Sequence, residues 1–162
     1  MISEQTEKTK VLIMGVGNTL LSDDGVGIHV TDSLRPLAAK HPEISIIDGG
    51  TLGLSLLPDI EDAAALIVVD AGEIGAEPGE IRVFKNEEMD RQLAGKKTTV
   101  HEVAVADLLA AAAMSGRQPR ERALVAIQPA STEWGLAPTP DVQKAIPLAR
   151  DLVGSMARDL AR

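Results

Sequence analysis

Three side chains capable of proton transfer or metal ligation stand where the apolar pattern of this sequence breaks. Asp24 lies in Ser22-Asp23-Asp24-Gly25, Asp70 directly follows Ala65-Leu66-Ile67-Val68-Val69, and His101 closes a polar stretch. A carboxylate held at the end of five apolar residues is costly to bury alone, so Asp70 reads either as a turn cap or as a ligand. Asp24 reads either as a site residue or as a first-turn carboxylate favoured by a helix dipole. His101 opens a helix, where the dipole lowers an imidazole's pKa and favours the neutral form that ligates metals. Two carboxylates and one imidazole from three loops suit a borderline divalent metal such as nickel or zinc. An aspartic-protease-like pair of Asp24 and Asp70, one holding the other's proton, is the second chemistry this set offers.

Other devices fail residue by residue. His101-Glu102 is followed by Val105 where a zincin helix needs its second histidine. Gly53-Leu54-Ser55-Leu56-Leu57 lacks the second glycine of a nucleophile elbow. Gly15-Val16-Gly17 follows a strand as a dinucleotide loop would, but Leu20 stands at the third glycine position. Two carboxylates, Asp23 and Asp24, then open the helix and would repel a phosphate. His29, on the solvent side of the first helix, and His41, in a Pro-containing turn, read as structural.

The elements that must position these groups follow from periodicity. Val11-Leu12-Ile13-Met14, Ile44-Ser45-Ile46-Ile47, Ala65–Val69 and Ala123–Ile127 are short apolar runs suited to strands buried on both faces. Glu80-Ile81-Arg82-Val83-Phe84 alternates and reads as an edge strand that could run antiparallel. Helical spacing recurs at Val26, Val30, Leu34 and Leu37, over Leu52–Ile60, and over Glu102–Met114. It recurs again from Val142 to Leu160, where Pro147 predicts a kink. Residues 86–99 read as the longest loop. Strands alternating with helices predict a three-layer α/β fold: a five-stranded, mostly parallel twisted sheet with helices on both faces. Ligands of such sheets gather beyond the carboxyl ends of the strands, where the loops carrying Asp24, Asp48-Gly49-Gly50-Thr51 and Asp70 fall.

Composition narrows the field further. The 162 residues carry a net charge of -8, which argues against an electrostatic hold on nucleic acid or an anionic membrane. Apolar residues make up 44%, enough for one sizeable core, while Phe84 and Trp134 are the only aromatics. The absence of cysteine removes disulfides, thiolate zinc sites and a cysteine nucleophile. No stretch approaches the roughly 20 apolar residues of a membrane span, and the N-terminus lacks the apolar region of a secretory signal. Residues 1–9 therefore read as a disordered tail and 10–162 as a single α/β domain, cytoplasmic and monomeric.

The run Gly15-Val16-Gly17-Asn18-Thr19-Leu20-Leu21-Ser22-Asp23-Asp24-Gly25-Val26-Gly27, with Asp48-Gly49-Gly50-Thr51, Gly53, Asp70 and His101 in order, resembles the NiFe-hydrogenase maturation endopeptidases. The resemblance covers about residues 10–160. It implies an endopeptidase, a single α/β peptidase domain, that removes the C-terminal extension of the hydrogenase large-subunit precursor after nickel insertion, cutting just beyond a C-terminal cysteine motif. It carries metal binding and catalysis onto Asp24, Asp70 and His101, with nickel brought by the precursor rather than held permanently. Asn18, Asp48, Gly49, Gly50 and Thr51 would line the cleft and hold the extension by backbone and amide hydrogen bonds, Asp48 having a turn role as its alternative. Trp134 is expected to pack beneath the C-terminal helix, with contact to the precursor as the other reading. The competing functions are a non-catalytic nickel-binding chaperone and a Rossmann-like nucleotide binder.

Overall fold

Alternation along the strands decides which helices cover which face. In β1 (Val11–Gly15), Val11 and Ile13 point into one core while Leu12 and Met14 point into the other. The same division separates Ile67 and Val69 from Leu66 and Val68 in β3 (Ala65–Ala71), and Val125 and Ile127 from Leu124 and Ala126 in β5 (Glu121–Ile127). The first core is closed by α1 (Val26–Ser33) and α6 (Pro140–Leu160); the second by α3 (Leu57–Asp62), α4 (Glu87–Leu93) and α5 (Val100–Met114). A short α2 (Arg35–Lys40) leads from α1 into β2 (Ile44–Asp48). The computed structural model describes residues 10–50, 53–95 and 99–162, so the expected tail at 1–9 lies outside the described residues.

The sheet has the order β2-β1-β3-β5-β4. β1, β2, β3 and β5 are parallel, and β4 (Ile81–Lys85) runs antiparallel against β5 at the edge, as its alternation predicts. The fold is thus the expected mostly parallel sheet between two helical layers. β1 and β3 are adjacent and parallel, so the turns that leave Gly15 and Ala71 emerge side by side. This is the position that brings separate loops to one point.

Two local readings are corrected. The helical pattern from Val26 to Leu37 is two helices, because Pro36 lacks an amide proton and restricts Arg35, and the first helix ends at Ser33. Residues 86–99 are not all loop: Glu87–Leu93 form α4, with Met89 and Leu93 buried four residues apart and three acidic residues on its first turn. The polar average of that stretch conceals its two apolar positions. The C-terminal helix runs through Pro147 without interruption.

Gly27 sets how closely α1 lies on the sheet. A Cβ there would fall 2.1 Å from the Val69 carbonyl oxygen and 2.6 Å from that of Val16. Neither backbone atom can step aside without bending β3 or the β1 exit. Gly27→Ala is therefore expected to cost about 3 kcal/mol, read as a lowered urea midpoint at unchanged slope.

Candidate active site

The exit from β1 wraps onto a 3-10 turn, Ser22–Gly25, that carries Asp24. Gly17 makes this wrap possible: its φ of +128° is a glycine conformation, and a Cβ would meet the Asp24 carbonyl oxygen at 1.9 Å. The Asn18 amide donates to Asp24 Oδ2 at 2.9 Å. His101, in the first turn of α5, places Nε2 3.4 Å from the same oxygen. Thr99 caps that helix by accepting the Glu102 amide on its hydroxyl at 3.2 Å, which fixes where His101 projects. Asp70, next to the last residue of β3, is 2% exposed, and its Oδ1 is buried without a hydrogen-bond partner.

Electrostatics push these groups apart. The His101 hydrogen bond holds the Asp24 carboxyl below its usual range despite burial, with help from the Asn18 amide. Burial drives the Asp70 carboxyl well above its usual range, and the charges of Glu102 and Asp24 add to this against the Ala71 amide. His101 departs from expectation, because its hydrogen bond to Asp24 raises its pKa against burial, outweighing the helix-end effect read from sequence. Asp24 and His101 therefore favour each other's charged form, beside an Asp70 whose neutral form burial favours.

Two acidic residues here were not legible as such in the sequence. Glu102 is 3% exposed and its carboxyl is raised by burial. Thr99-Val100-His101-Glu102 has the form of a capping box, which places such a glutamate at a helix surface and hides its proximity to Asp70. Asp23, read above as a carboxylate at the helix start, is fully buried and ties the segment 130–139 to the 3-10 turn. Its Oδ2 accepts from the amides of Ala130 and Ser131 at 2.8 and 3.0 Å and from the Thr139 hydroxyl at 2.7 Å, while Oδ1 accepts the Thr139 amide at 2.6 Å. Burial would raise this carboxyl, but the bonds from Ser131, Thr139 and Ala130 outweigh it and hold it low.

A cleft of about 610 Å³ opens on one side of the pair, lined by Asn18, Asp48, Gly50 and His101 among others. A second, of about 300 Å³, opens on the Asp24 side between Gly72-Glu73 and Pro129–Thr132. Gln128 holds the wall of the latter by accepting the Ile74 amide and donating to Glu73. The Asp48 side chain makes a turn, accepting the Gly50 amide at 2.7 Å, and the Gly49 amide donates to the Gly15 carbonyl. Asn18 Oδ1 accepts the Leu20 amide. The backbone N–H groups of residues 18, 49 and 50 are thus engaged within the protein. Thr51 lies outside the described residues.

Among the described residues no three acidic or imidazole groups already close around a single point. The donor set still suits a borderline cation: two carboxylates, one imidazole, and at Asp70 a buried oxygen in need of a partner. Because Asp24 and His101 now satisfy each other, an arriving cation would replace their ion pair. Outside the site, His29 is only partly exposed and keeps a buried, unpartnered Nε2, contrary to the solvent-facing reading. Trp134, expected to pack beneath α6, is 81% exposed.

Residues 28–155 match the hydrogenase maturation protease family model. The chain is 34% identical over 148 residues to the hydrogenase expression/formation protein HupD of Bradyrhizobium diazoefficiens, covering 91% of this chain and 77% of that protein. It is 32% identical over 152 residues to the hydrogenase 2 maturation protease of Escherichia coli, covering 93% and 92%. The solved hydrogenase maturating endopeptidase HybD of E. coli superimposes with a TM-score of 0.84 at 30% identity, covering 93% of each chain. The chain spans from 59% to 92% of the length of the curated relatives it matches.

Proposed function

This chain belongs to the hydrogenase maturation protease family, and from that membership we propose that it removes the C-terminal extension of a NiFe-hydrogenase large-subunit precursor once nickel is in place. The observation that carries the reading is the cluster at the head of the sheet. An ionised Asp24 paired with His101 stands beside a buried Asp70 whose Oδ1 has no partner. The precursor's nickel is part of the substrate, and Asp24, Asp70 and His101 are the donors that would meet it. A precursor without nickel lacks that anchor and is spared.

Hydrolysis then uses the contrast between the two carboxyls. Asp24, held ionised, takes a proton from water as its oxygen attacks the scissile carbonyl carbon. Asp70, held protonated by burial, donates a proton to the leaving amide nitrogen as the C–N bond breaks. The products are the mature carboxyl terminus and a free extension. Before the nickel arrives, His101 holds and orients the Asp24 carboxylate. Among the described residues no helix is long and apolar enough to cross a membrane, and the reading adds a monomer acting in the cytoplasm.

The test is incubation of the purified chain with precursor prepared with and without nickel, followed by intact mass spectrometry. Loss of the extension from the loaded precursor alone is the expected result. An uncut loaded precursor overturns the protease reading, and a stable complex with the extension intact would favour a chaperone. Equal cutting of both forms would remove nickel as the recognition element.

A further inference from the structure

Large apolar side chains left exposed on this protein are concentrated at one end of the sheet. Of nine such residues among those described, Leu20, Leu54, Val100, Val103, Trp134 and Leu136 lie on the loops and helix start at the carboxyl ends of the strands. The densest group is on one rigid platform. Leu21 and Gly135 form a parallel bridge, with the Gly135 amide donating to Leu20 and the Ser22 amide donating to Gly135, both at 2.9 Å. The Ser22 hydroxyl donates to the Glu133 carbonyl at 2.7 Å, and the buried Asp23 grips residues 130, 131 and 139. Trp134 and Leu136 flank the bridged glycine at 81% and 78% exposed, and Leu20 beside them is 46% exposed.

Such a platform is unusual for a free surface. Exposed Trp on a segment already ordered by buried hydrogen bonds loses little entropy on binding, which is what an anchoring contact needs. Its place also points to its occupant. The platform is bridged to Leu21, which lines the larger cleft, and shares the 3-10 turn segment with Asp24, so a macromolecular substrate engaged at the site has this surface next to it. The described cleft-lining residues include Asp24, Asp48 and Glu73 but no lysine or arginine, and Glu133 is exposed next to Trp134. The complementary surface is therefore apolar with a basic surround.

Resting on the function proposed above, we infer that Trp134, Leu136 and Leu20 form the docking surface for the folded body of the large-subunit precursor. This contact is separate from the groups that meet its nickel and its scissile bond. Binding energy at this surface holds the extension over Asp24 and Asp70 without entering the chemical step.

The chain's single tryptophan makes the test direct. Labelled with 5-fluorotryptophan, the protein is titrated with unlabelled nickel-loaded precursor and followed by fluorine NMR. A shifted, broadened Trp134 signal is expected. Trp134→Ala should raise KM for the precursor about 10–30-fold with kcat held, Trp134→Phe should recover most of this, and Leu148→Ala on α6 should change nothing. An unmoved signal and an unchanged KM while the precursor is still cut would overturn the docking surface and leave the protease reading standing. A shifted signal with no cutting would do the reverse. A signal that moves with the protein's own concentration would reassign the surface to a second copy of this chain and overturn the inference.

Discussion

Replacing Asp70 with Asn is expected to abolish processing while making the protein more stable. Loss of its proton-donating carboxyl should lower the rate roughly 10²–10⁴-fold, read as accumulation of uncut, nickel-loaded precursor. The same change removes a buried carboxyl that the fold raises far above its usual range by desolvation and by the charges of Glu102 and Asp24. A group whose folded-state pKa is raised subtracts stability as pH climbs above its unfolded value of about 4, because the unfolded chain ionises first. The amide has no such cost and fills the same volume. Asp70→Asn should therefore gain about 1–2 kcal/mol at neutral pH, a Tm rise of roughly 2–8 °C. The gain should grow between acid and neutral pH and vanish below about pH 4. A variant that is inactive and also less stable at pH 7 would contradict the account of Asp70 as a strained functional carboxylate.

Asp23→Asn should act in the opposite direction. Its carboxylate accepts four hydrogen bonds from Ala130, Ser131 and Thr139 in a fully buried position. An amide nitrogen there would face donated hydrogens, so hydrogen-bond and charge complementarity fail although the shape is kept. A loss of roughly 3–5 kcal/mol is expected, or a Tm lowered by about 6–20 °C. Because the folded-state pKa is depressed, the wild type holds this stability above the unfolded value and loses it as pH falls through the folded one. The two proteins should thus converge in stability on acidification. Calorimetry across pH 2–7 decides this, and a constant difference over that range would show that the hydrogen bonds, rather than the ionised carboxylate, carry the effect. Processing should fall as well, since the segment carrying Trp134 is fastened to the Asp24 turn through Asp23.

These expectations separate what is local from what is tertiary. Strand and helix identity was legible in the chain because burial on two faces demands continuous apolar runs and burial on one face demands period, and both patterns survive in a single sequence. The position of Asp24 beyond β1 and of Asp70 at the end of β3 followed from the same patterns and from the rule that parallel sheets collect function there, although β3 runs one residue past Asp70. Where a short element rests on few apolar contacts, as α4 does on Met89 and Leu93, composition conceals it.

The sequence by itself determined the fold class, the order of its main elements and the three groups at the head of the sheet. Tertiary structure alone decided how those groups are charged and braced. The pKa of His101 turned on Asp24, 77 residues earlier in the chain, and Asp70 was shifted partly by Glu102, a residue that reads locally as a helix cap. Asp23 reads as a dipole-facing carboxylate until the segment 130–139 folds over it, and Trp134 reads as core until that segment turns it outward. Periodicity records only whether a residue is buried. Which charge or hydrogen bond meets it there depends on segments brought together across the whole chain, and one-dimensional spacing carries no trace of them.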